Sequence, residues 1–173
     1  MITLICGTNR KNSMSKMIAL LYKDILKEMD MNSQILNLED LPEDFTTSAL
    51  YENAGMDESF NTFRNLMKNT QKMVFIVPEY NGSFPGVLKA FIDGLIFPDT
   101  FTDKKCALVG ISSGIQGAGL ALSHLTDIFN YCGMNVLAQK PKLSRIEENL
   151  TENNLSQLYH DLLVEQAEKL IEF

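Results

Sequence analysis

The sequence predicts an open, doubly wound α/β domain: three α/β/α layers around a five-stranded parallel sheet, spanning residues 1–173 as one unit. Three observations predict it. Short apolar runs alternate with amphipathic stretches from end to end, as successive β–α units do when they build a parallel sheet covered on both faces. Apolar residues make up 45% of the chain and charged residues 21%, a balance that supports one sizeable core. A length of 173 residues suits one domain and is too short for a closed eight-stranded barrel.

Each element follows from its pattern. Ile2–Cys6 is apolar apart from Thr3, as a strand buried on both faces should be. Met14, Met17, Ile18, Leu21, Ile25 and Met29 fall at helical spacing between Ser13 and Met29. Ser33–Leu38 alternates as a second strand, and Phe60, Phe63, Leu66 and Met67 mark a second helix. Met73–Val77 is a third strand; Val87, Leu88, Phe91, Ile92 and Leu95 mark a third helix. Cys106–Ile111 reads as the fourth strand, followed by a helix through Leu122, Leu125, Ile128, Phe129 and Cys132. A short fifth strand is expected near Met134–Ala138. A last helix should present Leu155, Leu158, Leu162, Leu163, Leu170 and Ile171 on one face. Sheets of this kind bind ligands beyond the carboxyl ends of their strands, where the strand order reverses. Functional residues are therefore expected just after Cys6, Leu38, Val77 and Ile111.

Charge and composition exclude several classes. Fifteen Lys and Arg against 22 Asp and Glu leave a net charge of −7, which argues against a nucleic-acid binder. No apolar run approaches the roughly 18 residues of a membrane-spanning helix. The first residues enter a strand directly, without a signal-peptide pattern. Cys6, Cys106 and Cys132 are unclustered and odd in number, as buried thiols of a reducing compartment are. A soluble cytoplasmic domain is expected. His124 and His160 lie within helical patterns, and no cluster has metal-ligand spacing, so no metal is expected. A GxSxG nucleophile elbow is absent. The acidic cluster of a receiver domain is missing as well, since Cys6-Gly7 and Pro78 stand in its places.

Three segments after strands carry the chemistry. Gly7–Ser15 (GTNRKNSMS) surrounds a helix start with hydroxyls from Thr8, Ser13 and Ser15. The free N–H groups of such a start attract an anion, and Arg10 can bind phosphate through two parallel hydrogen bonds. Ser13 is equally an ordinary N-cap, and the segment alone leaves both readings open. Neither GxxxxGK[ST] nor GxGxxG is present. Val77–Gly94 (VPEYNGSFPGVLKAFIDG) packs an acid, an aromatic, an amide and glycines before a helix. Turn chemistry explains Asn81-Gly82 and Pro85-Gly86 but does not require Glu79-Tyr80. Ser112–Gly119 (SSGIQGAG) is a small-residue strand–helix turn.

Together these segments resemble the NADPH-dependent FMN reductases of the flavodoxin-like fold, which include bacterial quinone, chromate and azo-dye reductases. The block PEYNGSxPGxLKxxID stands at Pro78–Asp93; GTNRKNS matches the family's GSxRxxS phosphate loop, and SSGIQGAG its third flavin loop. The resemblance implies a non-covalently bound FMN, NADPH or NADH as donor, small acceptors such as quinones, azo or nitro compounds, flavins or metal oxyanions, and a homodimer, in some members paired into tetramers. It implies that Arg10, Ser13 and Ser15 hold the phosphate with Thr8 nearby. Pro78, Glu79, Tyr80 and Asn81 would border the isoalloxazine ring, largely through backbone groups, and Ser112 and Gly114 would line its pyrimidine side. No catalytic side chain beyond the flavin is required, with Tyr80 a candidate support for ring or acceptor. Ala90, Gly94, Ala118 and Leu120 depart from the usual Asn, Trp, Gly and Arg. A flavodoxin-like one-electron carrier is the alternative function.

Two further segments carry expectations. Residues 39–58 hold seven acids and no Lys or Arg, either a solvated loop or a lid that disfavours anionic acceptors. Leu95–Phe101 (LIFPDTF) offers four large apolar side chains beyond what one helix face must bury, which points to an association surface.

Overall fold

In a computed structural model describing residues 1–151 and 154–173, the central sheet runs β2-β1-β3-β4-β5, all parallel. Its strands are β1 (Ile2–Cys6), β2 (Ser33–Asn37), β3 (Lys72–Pro78), β4 (Lys105–Ile111) and β5 (Asn135–Val136). The chain moves outward from β1 to β2, then returns past β1 to lay down β3 and β4. That reversal puts α1 (Met14–Glu28) and α7 (Gln157–Glu172) on one face of the sheet. The other face carries α3 (Glu58–Asn69), α4 (Gly86–Asp93) and α5 (Gly119–Tyr131).

Strand alternation divides the apolar residues between two cores. Ile5, Met73, Phe75, Val77 and Leu108 point to one face, where Phe60, Phe91 and Phe129 from the helices meet them. Leu4, Val74, Ile76 and Val109 point to the other, against Ile18, Tyr22 and Leu163. Burial on both faces is the reason these strands read as continuous apolar runs. Gly94, where the family often has Trp, is buried, and a Cβ there would come 2.6 Å from the Phe60 ring. Phe60 thus fills that space, stacked on Phe45 at 5.5 Å and edge-on to Phe91 at 6.0 Å.

Side chains close several ends of α1, α3 and α7. Ser13 caps α1, its Oγ accepting from the Lys16 N–H at 3.3 Å, and Asp57 caps α3 through the Phe60 N–H at 3.0 Å. Lys104, largely buried, donates to the Met67 and Lys68 carbonyls at the end of α3, where the helix dipole favours a cation. Lys72 does the same for α7 through Leu170 and Ile171.

The structure corrects four readings. The fifth strand does not continue to Ala138: it breaks after Val136 and resumes as β6 (Lys142–Leu143), beside Gly110 and Ile111 of β4. Between the two pairings this edge advances six positions, Val136 to Lys142, while β4 advances four, Cys106 to Gly110. Pro141, which has no N–H, sits in the break, as edge strands allow. The last helix begins at Gln157, after a hairpin of β7 (Leu150–Thr151) and β8 (Asn154–Leu155). Leu155 therefore lies outside that helix, and Leu158 faces solvent, 67% exposed. The acidic segment is a packed cap: it includes α2 (Phe45–Ser48) and buries Phe45, Ala49 and Leu50 in the core. Of the four apolar side chains in Leu95–Phe101, Leu95 and Phe101 belong to the core, and Phe97 is exposed.

The turn after β4 folds tightly onto its own strand. A Cβ on Gly110 would lie 2.3 Å from the Gly117 carbonyl oxygen, whereas one on Gly86 would meet nothing within 4 Å. Gly110→Ala should therefore lose about 2 kcal/mol or more in urea unfolding. Gly86→Ala should be neutral or gain about 0.5 kcal/mol. Equal stabilities of the two variants would contradict the close approach.

Candidate functional site

Three loops leave the carboxyl edge of the sheet side by side. At the end of β1 the Gly7 N–H donates to the Ile76 carbonyl at 2.9 Å, and a Cβ on Gly7 would meet that same oxygen at 2.9 Å. Only glycine lets the chain stay that close to β3 before turning. Thr8 is buried; its hydroxyl lies 2.8 Å from the Tyr80 hydroxyl and accepts from the Arg10 N–H at 3.3 Å. The Arg10 guanidinium stands 6.0 Å from the Tyr80 ring centroid. Ser15 follows in the first turn of α1, with its hydroxyl buried and without a hydrogen-bond partner among the described residues.

The second loop begins at Pro78. The Glu79 N–H continues the sheet by donating to the Ile111 carbonyl at 2.9 Å, and Tyr80 pairs with Ser83 in both directions at 2.8 and 3.1 Å. Asn81 and Gly82 lie between them with φ of 51° and 76°, a two-residue hairpin turn with both central residues left-handed. That geometry accounts for the Asn-Gly pair and puts Asn81 at an exposed tip. The N–H groups of Glu79 and Tyr80 are thereby committed to the loop's own structure. Glu79 Oε2 is buried and has no partner among the described residues. Ser83 Oγ lies 2.9 Å from His124 Nδ1, which ties the hairpin to α5.

The third loop is shaped by Ser112, whose hydroxyl donates to the Gly114 carbonyl at 2.9 Å and accepts from the Gly117 N–H at 3.0 Å. The segment after β6 supports it from below. Ser112 N–H donates to Leu143, Arg145 N–H to Gly114 and Ile146 N–H to Ser112, at 3.0, 2.9 and 3.1 Å.

Between these loops lies a cleft of about 280 Å³. Thr8, Arg10, Ser13, Ser15, Pro78, Glu79, Tyr80 and Ser112 all line it. Gly114 lines an adjoining hollow of about 410 Å³ that shares Glu79, Ser112 and Ser113 with the cleft. Asn81 borders neither. Lys11, Asn12, Ser113, Ile146 and Glu147 also line the cleft, though the sequence does not single them out. Ile146 and Glu147 follow β6, so the signal for them was the same strand-edge rule, hidden by the broken fifth strand. None of the acids of residues 39–58 lines the cleft.

Charges of both signs meet at the cleft. Arg10, Lys11 and the α1 N-terminus bring positive charge to its wall, and the carboxylates of Glu79 and Glu147 line it as well. Glu39 pairs with Lys16 at 3.3 Å, and hydrogen bonds from Asn37 and Lys16 hold its carboxyl below the ordinary range. Burial pushes the Cys6 thiol, at the foot of the first loop, up to about 12, so it is no nucleophile at neutral pH. His160 is half-buried on α7, and His124 is exposed beside Ser83. A cleft with a helix start, an arginine and a lysine in its wall can take an anion.

A second concavity of about 630 Å³ shares no residue with the cleft. Ile92, Ile96, Phe97, Ile128, Cys132 and Tyr131 give it an apolar lining, with Tyr51 from the acidic segment at its side. No helix among the described residues is long and apolar enough to cross a membrane.

The family model of the NADPH-dependent FMN reductases matches residues 1–145. A 2-hydroxy-1,4-benzoquinone reductase of a Burkholderia species is 28% identical over 157 residues, 86% of this chain and 82% of that protein. A quinone reductase of Pseudomonas putida is 29% identical over 129 residues, 71% of this chain and 65% of that one. Among solved structures, the flavoenzyme NAD(P)H:(acceptor) oxidoreductase FerB of Paracoccus denitrificans superposes with a TM-score of 0.83 at 21% identity, over 99% of this chain and 94% of that one.

Proposed function

The chain belongs to the NADPH-dependent FMN reductase family, and we propose that its cleft holds FMN with the phosphate at the α1 N-terminus and the ring between the second and third loops. The observation that carries this placement is the Ser15 hydroxyl, buried without a partner in the first turn of α1. A buried hydroxyl left unpaired is costly, and a phosphate oxygen at that position would accept from it. Ser13 and the free N–H groups of the turn add donors, and Arg10 swings from the Tyr80 ring to supply charge. Bound FMN supplies hydride chemistry; the chain positions the ring and excludes groups that would compete with it.

Donor and acceptor use one exposed ring in turn. The loops offer a flat platform with few directed polar groups, which favours small planar acceptors such as quinones and azo or nitro compounds over a single substrate. The donor is a reduced nicotinamide nucleotide, NADPH or NADH. Because none of the acids of residues 39–58 lines the cleft, that segment acts as a structural cap and leaves acceptor charge to the loops themselves.

The apolar concavity is the seat of a second copy of the chain. Phe97 and Tyr131 are 65% and 83% exposed and stack on each other at 6.3 Å, a patch that a monomer has no reason to present. Two copies related by a two-fold axis would cover both patches at once.

Three outcomes test this reading. Arg10→Ala and Ser15→Ala should each weaken FMN by roughly tenfold or more while leaving riboflavin, which lacks the phosphate, nearly unchanged; equal weakening of both flavins removes these residues from the phosphate site. Double-reciprocal plots at several acceptor concentrations should be parallel, and intersecting lines would show that donor and acceptor are bound together. Light scattering at micromolar concentration should give twice the mass of 19.5 kDa, falling to one chain in Phe97→Asp/Tyr131→Asp; a monomeric wild type would defeat the dimer.

A further inference from the structure

Glu79 is placed by its main chain and left unsatisfied by its side chain. Its N–H is bound to the Ile111 carbonyl at 2.9 Å, so its main chain has no donor left for a ligand. Its carboxylate oxygen Oε2 is buried and partnerless among the described residues, while the residue borders both the cleft and the adjoining hollow. The two serines that line both hollows with it are otherwise engaged: Ser112 donates to the Gly114 carbonyl, and the Ser113 hydroxyl lies 3.4 Å from Glu147 Oε1. A carboxylate only accepts hydrogen bonds, and leaving one of its oxygens buried without a donor is costly.

Two buried, unpaired oxygens therefore line one cleft with opposite needs. Ser15 has an O–H to give and Glu79 has lone pairs to fill. FMN carries the matching pair: a phosphate that accepts at one end and, on the pyrimidine edge of its oxidised ring, a single N–H at N3. We propose that the Glu79 carboxylate accepts this N3–H, and so fixes the direction in which the ring enters the cleft and selects an imide-bearing ring. The inference rests on FMN occupying the cleft. A phosphate could not take the opposite orientation, since it would face a carboxylate of its own sign. The same charge opposes the negative charge that the pyrimidine edge gains on reduction, and so holds the flavin's potential down. Glu79 positions the ring and tunes it; the expectation that this residue works through its backbone is replaced by a role for its side chain.

The experiment compares FMN with 3-methyl-FMN, whose N3 bears a methyl group in place of hydrogen, in the wild type, Glu79→Gln and Glu79→Ala. The wild type should bind 3-methyl-FMN roughly 10- to 100-fold more weakly than FMN, the range of a hydrogen bond to a charged group. The ratio should shrink in Glu79→Gln, whose amide oxygen accepts without charge, and approach one in Glu79→Ala. The two-electron midpoint potential of bound FMN should move positive in Glu79→Gln, where size is kept and charge is lost. A wild-type ratio near one overturns the inference even where the variants fail to fold, as does a ratio unchanged in Glu79→Ala or a potential unmoved in Glu79→Gln. Failure of the wild type to bind FMN at all is a separate result, and defeats the cofactor reading beneath it.

Discussion

Three backbone hydrogen bonds hold the site in register. Gly7 donates to Ile76, Glu79 to Ile111 and Ser112 to Leu143, at 2.9, 2.9 and 3.0 Å. In each case the first residue beyond a strand pairs once more with the neighbouring strand, so β1, β3 and β4 release their loops at one level. Everything else at the site hangs from these rungs. The Thr8–Tyr80 contact links the first two loops, and the 2.3 Å that a Gly110 Cβ would leave to Gly117 shows how tightly the third folds back. A side chain at Gly7 would separate the first rung, and the cleft with it. Backbone pairing is well suited to this task, because it sets loop positions without depending on flexible side chains.

The same constraint explains the distribution of polar groups. Once the N–H groups of Glu79 and Tyr80 and the hydroxyl of Ser112 are committed to the loops, few groups remain to meet a ligand. The remaining ones are specialised: a helix start with Ser15 and a nearby arginine, and a carboxylate with one oxygen buried and unpaired among the described residues. A chain of net charge −7 can bind an anionic cofactor because Arg10 and Lys11 stand beside the start of α1, while the seven acids of residues 39–58 do not line the cleft. Long-range attraction would oppose binding, and short-range geometry overcomes it.

Much of this was legible in the amino-acid sequence. The buried strands announced themselves as continuous apolar runs, the helices by their spacing, and the site by loops after Cys6, Val77 and Ile111. The fifth strand was not legible, because an edge strand with Pro141 in its break makes only two short pairings and leaves no long apolar run. For the same reason Ile146 and Glu147 were missed as lining residues. Asn81 looked like part of the site because it sits in the PEYN block; the structure gives it a turn to make, with positive φ at the hairpin tip. LIFPDTF overstated its exposed surface, since spacing cannot reveal that Leu95 and Phe101 fill the core beside Phe60 and Phe129. Glu79 is the opposite case: the sequence shows an acid in a loop, and only the fold shows that its N–H is taken and its carboxylate oxygen is buried alone.

In the proposed reaction one cleft and one ring serve two small ligands in turn. Anaerobic rapid mixing of the FMN-loaded protein with NADPH, and separately with NADH, tests it most directly. Loss of the flavin absorbance in a single phase on the timescale of turnover, followed by its return on adding a quinone, is the predicted result. Flavin that stays oxidised with both donors, yet takes up one electron at a time from dithionite and holds the one-electron form in abundance, would contradict it and make the protein a carrier.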